Sequence, residues 1–408
     1  MGAPSLSPAA PFRNDQPDWP MQLLKTQLRR ERLDRLQTVL RGADCGAALF
    51  FDPINIRYAT DVSNMQVWCL HNAARYAFVA ADGPVVLFEF KTCEHLAASM
   101  ELVDEVRPAC SWIYLLAGAE AENTAARGGA EIAELLRAHG GGTARLAVDR
   151  IDHLGFLALR HAGIDVVEGQ SLAEQARAIK SPQEMLAMRD AIAACEGAVT
   201  QMRESFEPGI SEQALWSVLH QKNIAGGGEW IETRLLSSGP RTNPWYQECS
   251  DRPVARGELV ALDTDLIGRH GYCCDISRTW SAGEDRPNDT QRRTYEVAYR
   301  HLRRLLETLV PGLSLDELSR AVGPAPEGFR TYSCLIHGIG LCDEYPVAFW
   351  SGTPGAYQAV IEPGMTLCVE SYFGPESGGE GVKLEEQVLV TADGIEVLSS
   401  LPFEEDWL

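Results

Sequence analysis

The stretch Leu262-Asp263-Thr264-Asp265, followed after a short turn by Gly271-Tyr272-Cys273-Cys274-Asp275-Ile276-Ser277-Arg278-Thr279, places three carboxylates on what reads as one β-hairpin. Residues two apart on a strand share a face, so Asp263 and Asp265 point the same way. Acids facing a core are costly unless something neutralises them, and a bound cation does so. A two-residue turn at Arg269-His270 would pair Asp275 with Thr264, on the opposite face. A bulge or local twist is therefore expected if all three acids are to meet one site.

Three later segments add ligand-type side chains. His337 lies in Leu335-Ile336-His337-Gly338-Ile339-Gly340, where two glycines permit close backbone approach. Glu370 ends the apolar run Met365-Thr366-Leu367-Cys368-Val369, an unfavourable place for a surface acid. Glu385 and Glu386 both fall in Val382–Leu389, and strand alternation lets only one of them face the site. Asp263, Asp265, Asp275, His337, Glu370 and Glu385 thus form the oxygen-rich, single-imidazole donor set suited to a pair of divalent cations.

A chain of 408 residues is long for one core, so two domains are expected. The formal charge of −21 leaves no basic stripe to neutralise phosphates, which argues against nucleic acid as a partner. Eleven cysteines without a CxxC pair read as free thiols of a reducing cytoplasm, not as disulfides or thiolate zinc ligands. Residues 1–20 have no cationic region followed by an apolar run, so they are not a signal peptide, and no window suits a membrane span.

Residues 1–20 read as an N-terminal arm. The spacing of Leu23, Leu24, Leu33, Leu36 and Leu40 predicts an amphipathic helix over 21–41. Strands at 47–51, 76–80 and 84–88, then a helix at 130–139, a strand at 144–148 and a helix at 154–162, predict an α/β domain with a mixed sheet over 21–175. Ser181-Pro182 opens a new helix, with a Ser cap and Pro in its first turn. Beyond it, over 176–408, helices at 182–206, 211–223, 290–309 and 314–321 interleave with long strands at 258–266, 272–280, 366–372 and 382–391. The chain as a whole is expected to be α+β, in two domains.

These motifs carry a resemblance. Gly271-Tyr272 with Asp275 and Arg278-Thr279, His337-Gly338, Glu362-Pro363-Gly364-Met365 with Glu370, and Val382 to Glu385 resemble the pita-bread metallopeptidase family of methionine aminopeptidases, Xaa-Pro aminopeptidases and creatinases. Asp52-Pro53, Asn55-Ile56-Arg57-Tyr58 and Ile179-Lys180-Ser181-Pro182 with Glu184 resemble its two-domain, creatinase-like members. The resemblance implies a creatinase-like N-terminal domain and a C-terminal pita-bread domain.

Departures from the peptidase pattern point to a narrower group. The peptidases carry one aspartate where this chain has Thr264 flanked by Asp263 and Asp265. They keep a histidine seven residues after the metal histidine, where this chain has Glu344, and another before the hairpin, whose counterpart falls near Gln247. Asn64-Met65-Gln66-Val67-Trp68, Gly227 to Arg234, Ser238 to Trp245 and His337 to Pro346 resemble the DddP-type dimethylsulfoniopropionate lyases. That resemblance implies a homodimeric carbon–sulfur lyase that splits a sulfonium zwitterion into dimethyl sulfide and acrylate. It further implies metal ligation by the six residues above, with iron favoured over manganese, zinc or cobalt. Asp343 is assigned as the base that removes the α-proton. Trp68 and Tyr332 are assigned to the sulfonium, a soft cation that prefers aromatic faces; Trp230, Trp245 and Tyr246 are weaker candidates. The alternative reading is a dinuclear Xaa-Pro aminopeptidase or related hydrolase.

Overall fold

The computed structural model describes residues 21–283 and 285–408, with side chains from residue 25 onward. The arm at 1–20 lies outside the described residues. In the N-terminal part the strands Glu105–Pro108, Val85–Glu89, Tyr76–Ala80, Ala47–Phe50, Arg145–Val148 and Asp165–Glu168 form one sheet in that order. The sheet is mixed: Ala47–Phe50 runs antiparallel to Tyr76–Ala80 and parallel to Arg145–Val148. The first helix covers Met21–Gly42, close to the expected span. The helix expected from residue 130 begins nine residues earlier, at Ala121. It runs unbroken through Gly128-Gly129, which pack against Trp112 and Ala158.

The helix Gln170–Ala178 leads through a short linker to Pro182–Glu204. Ser181 caps that helix, its hydroxyl accepting from Glu184 N while the Glu184 carboxylate accepts from Ser181 N. Two small antiparallel sheets and one larger sheet follow. In the larger one Asp343–Phe349, Cys334–Ile339, Thr366–Pro375, Val382–Val390 and Ile395–Val397 are neighbours in that order. Its central strand is buried on both faces. Leu367, Val369 and Phe373 pack toward Ala298, Leu302 and Leu305 of the helix Asp289–Thr308, which leaves Cys368 and Glu370 to the opposite, polar face.

The hairpin departs from the expected continuous strands. Each arm is interrupted at its acids: Leu259–Leu262 is separated from Leu266–Ile267, and Cys273–Cys274 from Arg278–Ser281. The expected two-residue turn is also corrected. Pairing of Ile267 with Cys273, Leu266 with Cys274 and Leu262 with Arg278 shows a loop one residue longer, Arg269–Gly271. Gly271 takes φ +77°, a conformation that suits glycine, and a Cβ there would strike the Arg57 guanidinium. The extra residue shifts the register by one and sets Asp275 against Asp265, on the face the acids share.

Candidate metal centre

The unpaired backbone at the interruption is held by a side chain. Thr264 Oγ1 donates to Cys274 O (3.1 Å) and accepts from Ile276 N (2.9 Å), standing in for missing ladder bonds. Asp265 adopts φ +37°, and its backbone N–H reaches Asp275 Oδ1 at 3.4 Å. The strain sits where three acids must converge. Carboxylate oxygens of Asp263, Asp265 and Asp275 all lie within 4.8 Å of one another.

A second group meets the first at Asp275. Asp275, His337, Cys368 and Glu385 also present ligand atoms within 4.8 Å of one another. His337 Nε2 is 3.3 Å from Glu370 Oε1 and 3.6 Å from both Asp275 Oδ2 and Glu385 Oε1. Its Nδ1 lies 3.0 Å from Gly338 O, which accepts the Nδ1 proton and leaves Nε2 as the ring atom that faces the acids. Glu370 and Glu385 pair directly across adjacent strands. Glu386 points the other way, to Arg278 at 2.6 Å, as alternation requires. All six expected ligands are therefore brought together.

Sequence reasoning missed Lys383, Ser277 and Cys368. Lys383 is fully buried, with Nζ 2.6 Å from Glu385 Oε2, 3.0 Å from Glu370 Oε2 and 3.4 Å from Asp263 Oδ2. Ser277 Oγ, bonded by Lys383 Nζ at 2.8 Å, lies 2.5 Å from Asp263 Oδ1 and 2.6 Å from Glu385 Oε2. The only signal for Lys383 was its position two residues before Glu385, on the same strand face.

The charges divide the cluster. Burial raises the Asp263 and Glu370 carboxyls, but Lys383, joined by the hydrogen bond from Ser277 at Asp263 and by His337 and the Tyr332 hydroxyl at Glu370, brings both below the ordinary value. Asp265 and Asp275 have no such partner; burial and then the neighbouring carboxylates raise them well above the usual range. Burial would lower the His337 imidazole, yet Asp343, Glu385 and Glu370 raise it well above 6.5. The cluster demands positive charge on the side away from Lys383. Glu385 Oε1 is buried there with no hydrogen-bond partner, and the donor set of oxygens and one imidazole fits divalent metal.

Asp343 opens the strand Asp343–Phe349, with Oδ1 3.5 Å from His337 Nδ1 and a side chain that is 62% accessible at the mouth of the site. Tyr332 lies over the cluster: its hydroxyl donates to Glu370 Oε2, Lys383 Nζ is 5.8 Å from its ring centre, and Tyr246 meets it edge-on at 5.4 Å. Trp245 packs on Tyr372, and Trp230 Nε1 donates to Glu232. Trp68 is not drawn in. It stays in the N-terminal part, its ring 5.1 Å from that of Phe90.

Residues 186–392 match metallopeptidase family M24, and residues 32–179 match the creatinase/prolidase N-terminal domain. The chain belongs to metallopeptidase family M24. Among curated M24-like relatives, it is 44% identical to a protein named dimethylsulfoniopropionate lyase DddP from Roseovarius nubinhibens, over 93% of this chain and 87% of that one. A protein of the same name from Roseobacter denitrificans is 42% identical, over 92% and 86%. The two-domain M24 fold is also that of an Xaa-Pro dipeptidase from Bacillus anthracis. That structure superposes with a TM-score of 0.73 at 21% identity, over 92% of this chain and 99% of the other.

Proposed function

We propose that this protein is a metal-dependent carbon–sulfur lyase that cleaves dimethylsulfoniopropionate to dimethyl sulfide and acrylate by β-elimination. The observation that carries the reading is the placement of Asp343, an accessible carboxylate beside His337 at the mouth of an acid-rich centre. Two DddP relatives above 40% identity support the same substrate. Asp263, Asp265, Asp275, His337, Glu370 and Glu385 would hold two divalent ions, iron favoured, with manganese, zinc or cobalt also suited to such donors. When bound, the ions supply Lewis acidity that draws charge from the substrate carboxylate and makes its α-proton more acidic.

Asp343 takes the α-proton, the C–H electrons form the C=C bond of acrylate, and the C–S bond breaks with its electrons leaving on dimethyl sulfide. The proton then passes to solvent from the accessible Asp343 side chain. Partial desolvation raises the Asp343 carboxyl, His337 draws it down, and Glu370 and Asp263 push it up again, for a net rise that suits a base. Tyr332 offers its ring to the sulfonium. Trp68 fits the same task from a second subunit of a homodimer: its helix Gln66–Cys69 leaves Val67, and Met65 just before it, each 52% exposed.

We divide the chain into an N-terminal domain over 21–175 and a metal-binding domain over 176–408. A cytoplasmic location agrees with cysteines that are all free and with the absence, among the described residues, of a helix long and apolar enough to cross a membrane. The test is headspace dimethyl sulfide from metal-replete protein. Release at the level of an Asp343→Ala variant overturns the lyase reading, and rapid cleavage of Xaa-Pro dipeptides would replace it with the hydrolase.

A further inference from the structure

The residue next to Asp343 is held quite differently. Strand alternation turns Glu344 away from Asp343, and its side chain is 1% exposed against 62% for Asp343. Glu344 Oε1 accepts from Arg177 Nε at 3.0 Å and from Leu341 N at 3.1 Å, while Oε2 meets Lys180 Nζ at 3.0 Å. Arg177 also donates to Asn55 Oδ1, and Asn55 Nδ2 donates to Asp149 Oδ2 at 3.0 Å. Arg177 lies in the last turn of the helix Gln170–Ala178, and Lys180 follows in the linker between the two halves of the chain.

This anchor acts on a tight loop. His337 pairs with Val347, and after a shift Gly338 pairs with Glu344 and Ile339 with Asp343, leaving Gly340 to Cys342 as the connection. One carboxylate therefore ties that connection, through Leu341 N, to two buried cations, one in the last turn of the helix and one in the linker. A peptidase histidine at this position would leave those cations without an anion.

We propose that Glu344 is a positioning residue for the elimination: its clamp on Arg177 and Lys180 sets where Asp343 stands relative to His337. The inference rests on Asp343 being the base. A displacement of about 1 Å at the reacting group costs on the order of 100-fold in rate, so the clamp is expected to act on turnover and not on binding.

The experiment compares Glu344→Gln, Lys180→Met and Asp343→Asn with the wild type as full-length, metal-loaded enzymes. Dimethyl sulfide release is followed with ordinary and α-dideuterated substrate, alongside metal content. Glu344→Gln is expected to lower kcat about 10- to 100-fold with KM and metal content unchanged, and to raise the isotope effect on kcat as proton transfer becomes limiting. Lys180→Met, which keeps Arg177 on the carboxylate, should move kcat and the isotope effect the same way by less, and it decides the matter if Glu344→Gln does not fold. Unchanged kcat, or a joint fall of kcat and metal content without a rise in the isotope effect, overturns the positioning role. Wild-type release by Asp343→Asn would instead remove the base on which the inference stands.

Discussion

Lys383 Nζ lies 2.6 Å from Glu385 Oε2, two residues along the same strand and on the same face. The pair places a permanent cation inside the acid cluster, opposite the side on which Glu385 Oε1 is unpartnered. If the six proposed ligands hold two divalent ions, with His337 neutral as a metal ligand must be, five carboxylates, one lysine and the two ions sum to zero charge. A neutral centre suits a substrate that is itself a zwitterion.

Replacing Lys383 with Met should leave Asp263, Glu370 and Glu385 buried without their shared partner. Removing one member of a buried ion pair costs about 3–5 kcal/mol, so the metal-free variant should unfold at a clearly lower temperature than the metal-free wild type. Added divalent metal should narrow the difference, because ligand binding stabilises the native state. Thermal unfolding with chelator and with excess metal checks both statements.

Metal uptake should release protons. The Asp265 and Asp275 carboxyls are raised well above their ordinary value, by burial first and by neighbouring acids second. A ligating carboxylate must be ionised, so binding displaces any proton held there, and affinity should weaken as pH falls. Calorimetric titration of chelator-treated protein in two buffers of different ionisation enthalpy measures the release; equal heats would refute it.

Asp343→Asn should lose about 100- to 10,000-fold in dimethyl sulfide release, the range for a lost general base, while metal content stays at the wild-type level. Parallel loss of metal would mean that Asp343 acts as a ligand instead.

His301, whose Nδ1 lies 3.1 Å from Ser371 Oγ on the helix-covered face of the central strand, sets a pH limit on stability. It stacks on Trp350 at 4.9 Å, its Nε2 is buried without a partner, and burial, helped by Arg304, lowers its pKa to about 4. The unfolded chain protonates near 6.5, so as pH falls it takes up the proton first and folded stability declines. The contribution is intact above about pH 6.5, amounts to a loss of about 2 kcal/mol by pH 5, and is complete near pH 4. His301→Phe should remove this part of the pH dependence, as read from urea unfolding at pH 7.5 and 5.

Much of the site was legible because its ligands are the wrong residues for their surroundings. Glu370 ends an apolar strand, a poor place for a surface acid, and Glu385 alternates with Leu384 and Glu386, so only one of the two glutamates could face the site. Lys383 was not legible, since a lysine in a strand reads as a solvated residue until both sheet faces are known to be covered. Cys368 and Ser277 escaped for a different reason: small, weakly polar side chains are as much at home in a core as beside a metal.

By itself the sequence determined the order of the longer helices and strands and the capped start of the helix at Pro182, while its resemblance to a known family implied the six ligands and the two-domain fold. The first two follow from periodicity and capping chemistry, which are local; the last two rest on matching motifs. Only the tertiary structure decided the hairpin register. The choice between a two- and a three-residue loop turned on Gly271 at positive φ with Arg57 of the other half of the chain packed against it. That contact spans more than two hundred residues, and strand periodicity carries no information about it. It decided whether Asp275 faced its fellow acids or turned away from them.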